Sequence, residues 1–204
     1  MRRDIPERQQ VLPSQEPERM EVRLSGFGGQ GIILAGNILG KAAALWEGKN
    51  AVFTQSYGPE ARGGACSADV VISSKAIHYP KVGTPRVLVF MSEEAKNTYG
   101  DLAGPGCTVI VDQDLVTLDG LEGRAAVLST VPATRMAEQL GKKMVANIVM
   151  LGYLAAVTGL VSYEALKQAV VSSVPKGTEE LNATAFDNGY RYGKEGKGRA
   201  QKAR

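Results

Sequence analysis

Two short segments of this chain combine residue types that contact ligands or neighbouring chains through the backbone. The first is Gly26-Phe27-Gly28-Gly29-Gln30-Gly31, a G-x-G-x-x-G run. Glycines at that spacing permit a tight turn and let backbone amides approach an anion at a helix start. A nicotinamide or flavin dinucleotide is the obvious ligand. Its usual companion is an acidic residue about 20 positions further on, which grips the ribose. Here that place falls in Val52-Phe53-Thr54-Gln55-Ser56, which carries no acid. The run therefore supports close approach of another ligand or a neighbouring subunit, or simply tight strand-to-helix packing, better than it supports a dinucleotide.

The second segment is Gln55-Ser56-Tyr57-Gly58-Pro59-Glu60-Ala61-Arg62-Gly63-Gly64. It mixes an aromatic, an acid and a base among residues that set backbone shape, as functional loops do. Pro59 stiffens the turn, Gly63 and Gly64 let the chain pass close to something, and Arg62 offers a planar fork for a phosphate or carboxylate. Glu60 and Arg62 are the candidates for a catalytic or charged contact, with a simple Glu60–Arg62 ion pair as the plainer reading. Asn147 lies amid apolar neighbours, and a buried amide there needs a partner in the glycine loop or across an interface, with a purely intrachain bond as the plainer reading. His78 is the only histidine, so it cannot build a metal site. Cys66 and Cys107 are too few for a four-thiolate cluster or a cysteine-rich zinc site and read as ordinary buried thiols.

Regular elements must hold these loops in place. Glu21 to Ser25 alternates as a strand, Gly26 to Gly31 is the turn, and Ile32 to Trp46 continues as a helix. Ala51 to Gln55, Cys66 to Ile72, Arg86 to Met91, Cys107 to Val111 and Ala125 to Leu128 read as further strands. Those from Arg86 and Cys107 are nearly all apolar, as expected of strands covered on both faces. Pro132 suits a first helical turn leading to Leu140. Met144 to Val161 reads as a buried core helix, interrupted by Asn147, Gly152 and Thr158 and short of the roughly 20 residues a membrane span needs. Ser162 is an N-cap for a helix from Tyr163 to Ser172, and a last helix after Thr178 carries Leu181, Ala185 and Phe186 on its apolar side. Tyr99, Tyr153 and Tyr163 read as packing residues. The fold class is α/β: a single three-layer α/β/α domain with a Rossmann-like start and a helical C-terminal part.

A length of 204 residues suits one domain, and 44% hydrophobic with 22% charged residues is ordinary globular usage. Residues 1–20 are proline-bearing and poor in apolar groups and read as a flexible extension; 21–190 form the domain. Residues 191–204 carry Arg191, Lys194, Lys197, Arg199, Lys202 and Arg204 against the single acid Glu195, a basic and mobile tail that accounts for the whole surplus of 24 bases over 21 acids. So small a surplus points to neither nucleic acid nor an anionic membrane. Arg2 and Arg3 are not followed by an apolar run, so no secretion signal is expected and the cytoplasm is the expected location.

Together the two loops and Asn147-Ile148-Val149-Met150-Leu151-Gly152 resemble the gamma subunit, or gamma domain, of the 2-oxoacid:ferredoxin oxidoreductases over roughly residues 20 to 190. The resemblance favours the 2-oxoglutarate synthase type. It implies an enzyme that takes a 2-oxoacid and coenzyme A to acyl-CoA and carbon dioxide while reducing ferredoxin. Thiamine diphosphate, Mg2+ and four-iron four-sulfur clusters (4Fe-4S) are expected on alpha and beta subunits or a small ferredoxin-like delta subunit, with none bound by this chain alone. On that reading Gly26, Gly28, Gly29, Gln30, Gly31, Ser56, Tyr57, Gly58, Arg62, Gly63, Gly64 and Asn147 lie near the partner-held cofactor or coenzyme A. The alternatives are a free-standing NAD(P)- or flavin-dependent oxidoreductase and a noncatalytic assembly module.

Overall fold

In strand β1 (Arg19–Phe27) the polar-apolar alternation buries Val22 and Leu24. The strand is longer than the expected Glu21 to Ser25, and Gly26 and Phe27 belong to it because both pair with a neighbouring strand. The computed structural model describes residues 18–57 and 64–200. Helix α1 (Ile32–Lys41) follows and ends in one wider π turn, Ala42–Trp46. Strands β2 (Asn50–Tyr57) and β3 (Ala65–Ser73) then form an antiparallel hairpin, with β3 lying between β2 and β1.

The chain next crosses to the other side of β1. Strands β4 (Val87–Phe90), β5 (Thr108–Asp112) and β6 (Val127–Val131) add in turn, each parallel to its predecessor and β4 parallel to β1. Helix α2 (Glu93–Tyr99) connects β4 to β5, and the Ser92 hydroxyl caps it by accepting from Ala95 N at 3.2 Å. The strand expected at Ala125 to Leu128 begins two residues later, where Val127 faces Thr108 of β5. Helices α3 (Ala133–Gln139), α4 (Ala146–Thr158), α5 (Tyr163–Ser173) and α6 (Glu179–Lys194) complete the domain, with Ser162 capping α5 as its sequence foretells. The sheet order is β2-β3-β1-β4-β5-β6-β7, where β7 (Arg199–Ala200) runs antiparallel to β6.

Two cores lie on opposite faces of this sheet. Val87 and Val89 of β4 join the larger one, under α1 and α3 to α6; Leu88 and Phe90 join the smaller one, with Ala95 of α2 and Val116, Leu121 and Ala125 of the following connections. All four β4 residues are buried, which explains why their run shows no alternation. The three-layer α/β/α expectation therefore describes the molecule. The helix expected from Met144 starts instead at Ala146; Lys143–Val145 make a short 3₁₀ turn and Met144 is exposed. The basic segment beginning at Arg191 starts inside α6, so residue 190 does not end the regular structure. Among the described residues no helix is long and apolar enough to cross a membrane.

Candidate functional site

Strands β1, β4, β5 and β6 end on one edge of the sheet, and the chain reverses its direction of travel across the sheet between β1 and β4. Ligands of open α/β sheets bind outside the carboxyl ends of strands at such a switch point. The glycine run sits there. Gly26 of β1 and Tyr57 of β2 are both paired with Cys66 of β3, so the second loop leaves the sheet at the level where the first begins its turn. Ser56 and Tyr57 close β2, with Tyr57 64% exposed, and Gly64 leads into β3. Gly58, Glu60, Arg62 and Gly63 lie outside the described residues. His78 follows the far end of β3, where Ser73 pairs with Arg19, and so stands at the opposite edge.

The turn is locked by its own side chains. Gln30 Oε1 accepts from Phe27 N at 2.9 Å, and Gln30 Nε2 donates to the Met91 carbonyl at 2.6 Å, so one amide bridges the β1–β4 crevice. A Cβ on Gly26 would lie 2.3 Å from Gln30 Oε1. Gly29 and Gly31 have φ of 98° and 73°, which excludes ordinary side chains. Asn147 Nδ2 donates to the Gly31 carbonyl at 3.0 Å, tying α4 to the start of α1. That bond is the amide partner the sequence called for, and it lies in the glycine loop. Asn147 Oδ1, by contrast, is buried without a hydrogen-bond partner among the described residues. Gly28 differs from its neighbours: a Cβ there would meet nothing within 4 Å, and its φ is not in the left-handed region. Among the described residues nothing explains glycine at that place, which leaves its backbone open to approach.

Beside the turn lies a cleft of about 310 Å³ lined by Phe27, Gly29, Gln30, Met91, Leu115, Thr134, Lys143, Met144 and Ala146. Asp112 at the end of β5 braces its floor, accepting from Thr134 N at 3.0 Å and Thr134 Oγ1 at 2.6 Å. Burial pushes the Asp112 carboxyl above the usual range, against the lowering effect of those bonds. Met91, Lys143 and Met144 line this candidate cleft and Asp112 braces it, and motif reading alone misses all four. Only Met144 left a signal, an apolar residue following two lysines, and the apolar run behind it concealed that.

The model of the pyruvate ferredoxin/flavodoxin oxidoreductase family matches residues 21–192. The chain belongs to that family. Among its relatives is the 2-oxoglutarate synthase subunit KorC of Methanocaldococcus jannaschii, 53% identical over 178 residues, or 87% of this chain and 95% of the relative. The solved gamma subunit of a keto/oxoacid ferredoxin oxidoreductase from Geobacter sulfurreducens is 38% identical with a TM-score of 0.79, covering 89% of this chain and 99% of that one. The 2-oxoglutarate:ferredoxin oxidoreductase of Magnetococcus marinus, solved with 2-oxoglutarate, coenzyme A and succinyl-CoA, shares the fold at a TM-score of 0.80 and 24% identity, this chain spanning 32% of its length.

As a member of the pyruvate ferredoxin/flavodoxin oxidoreductase family, the chain does not itself fit a cluster. Cys66 and Cys107 are buried in separate cores on opposite faces of the sheet, and burial pushes the Cys107 thiol up to about 11 and the Cys66 thiol upward. Among the described residues no group of three or more His, Cys, Asp or Glu side chains could hold a metal ion. The switch-point crevice is likewise a poor dinucleotide groove. The neighbour of β1 on the β2 side is the antiparallel β3, so no parallel strand ends there to present a ribose-gripping acid.

Proposed function

We propose that this chain is the gamma subunit of a 2-oxoglutarate:ferredoxin oxidoreductase, a cytoplasmic hetero-oligomer with alpha and beta subunits and a ferredoxin-like delta subunit. The assembled enzyme converts 2-oxoglutarate and coenzyme A to the acyl-CoA and carbon dioxide and passes electrons to ferredoxin. The observation that carries this reading is the sequence identity of 53% to a 2-oxoglutarate synthase subunit along nearly the full length of both chains. Thiamine diphosphate with Mg2+ and 4Fe-4S clusters, held by the partner chains, supplies the carbon chemistry and the electron path.

This chain contributes the carboxyl edge of its sheet. Gln30 and Asn147 hold the glycine turn rigid, and the unobstructed Gly28 backbone supports close approach by a partner-held group. Arg62, in the loop that leaves β2 at Tyr57, is the proposed charged contact to a phosphate, carboxylate or partner acid, with Glu60 beside it.

The test is co-expression with the partner subunits. A brown complex containing thiamine diphosphate, more active with 2-oxoglutarate than with pyruvate, is the expected result. Arg62→Ala should assemble normally yet lower turnover or raise the coenzyme A requirement roughly tenfold, the scale of one lost charge-assisted contact. A lone chain competent in catalysis, or a complex that prefers pyruvate, overturns the assignment.

A further inference from the structure

The cleft beside the glycine turn has properties that the proposed function leaves unused. Its polar lining groups are already engaged: Gln30 holds Phe27 N and the Met91 carbonyl, and Thr134 Oγ1 donates to Asp112. The charged lining residue is Lys143, whose ammonium stands 3.7 Å from Glu138, with side chains 67% and 54% exposed. Small-molecule sites span roughly 300–1,000 Å³ and add several convergent free polar groups to an apolar wall. At about 310 Å³ this cleft is at the lower limit, and its polar side chains other than Lys143 are turned to internal bonds.

Its rim is apolar and wet. Met144 is 82% exposed and Phe27 40% exposed, on either side of the hollow. Large apolar side chains standing in water around an apolar depression mark a protein contact, and methionine adapts its shape to what it meets. Lys142 and Lys143 are both exposed beside it, and the exposed 3.7 Å pair of Lys143 with Glu138 is weak enough for a partner carboxylate to take its place, so the complementary surface is acidic.

We propose that this cleft receives a segment of a partner subunit in which a large apolar side chain is flanked by a carboxylate. The apolar group enters between Phe27 and Met144, and the carboxylate pairs with Lys143. This rests on the subunit reading above and names the chemistry of the partner at that edge.

The full chain, co-expressed with its partner subunits, carries photoreactive benzoylphenylalanine at position 144 or, as control, at Leu45, which is 70% exposed beyond the far end of α1. Position 144 should crosslink to a partner peptide bearing an acid next to an aromatic or long aliphatic residue, and position 45 should not. Lys143→Glu and Met144→Asp should each weaken association roughly tenfold while leaving the melting temperature of the isolated chain unchanged, as exposed positions do. Neutralising the charge in Lys143→Gln should also reduce the salt dependence of association. Crosslinks from 45 but not 144 in an intact complex, or a crosslinked peptide without an acid, overturn the proposal and leave the subunit reading standing. A chain that fails to associate with the partner subunits when co-expressed with them overturns both.

Discussion

At the residue scale, Gly31 and Asn147 constrain one another. Gly31 has φ 73°, and a Cβ there would lie 2.4 Å from Asn147 Nδ2. An alanine therefore meets two penalties, the left-handed backbone and displacement of the amide that donates to its own carbonyl. Gly31→Ala should destabilise the chain by about 2 to 3 kcal/mol in urea unfolding. In an Asn147→Ala background the obstruction is gone and only the backbone penalty remains, so the added cost should fall to about 1 to 2 kcal/mol. Equal costs in both backgrounds would show that the two residues are not coupled. The glycine run itself was legible in the sequence because its spacing is local. The partner of Gln30 was not, since the Met91 carbonyl lies 61 positions away and reaches the turn only through strand pairing.

At the scale of elements, α4 and α6 pack so closely that backbone meets backbone. A Cβ on Gly189 would stand 2.0 Å from the Val149 carbonyl oxygen, and one on Gly152 would stand 2.1 Å from that of Phe186. Gly189→Ala must push the helices apart and should cost about 1 to 3 kcal/mol. Gly40 in α1 is the control, because its added Cβ would find only ordinary contacts at 3.8 Å. Gly40→Ala should raise stability by up to about 1 kcal/mol through helix propensity. Thermal melts that moved both variants the same way would contradict this account of the α4–α6 contact. Helix α5 was readable from its Ser162 cap and β4 from its unbroken apolar run, both local signals. The start of α4 was not, because a helix buried on nearly every side has no polar face to mark its first turn, and Met144 was absorbed into the run. The insertion of β3 between β1 and β2 was likewise hidden, since periodicity reports that a strand exists and not which strand it joins.

For the whole molecule the two sheet edges differ. β2 ends the sheet on one side, whereas on the other the chain after α6 turns back along β6. The Gly198 carbonyl accepts from Thr130 N at 2.7 Å, the Lys197 carbonyl accepts from the buried Tyr153 hydroxyl at 3.2 Å, and a Cβ on Gly198 would collide with the Thr130 carbonyl at 1.8 Å. By sequence this segment reads as a basic and mobile tail, but its backbone as far as Ala200 is bound to the body, so deletion tests two things at once. A chain ending at Lys194 leaves the β6 edge unpaired and Tyr153 without that acceptor, and it should lose about 1 to 3 kcal/mol of stability. Charge alone is tested by Lys194→Gln with Lys197→Gln in the full chain. Both side chains are exposed, so that double variant should melt like the parent, because exposed ion pairs contribute little. If ferredoxin reduction at low salt falls in the double variant, the charges serve docking. If the truncated chain instead melts with the parent, the contacts to β6 do not hold the edge and the tail is no part of the folded unit.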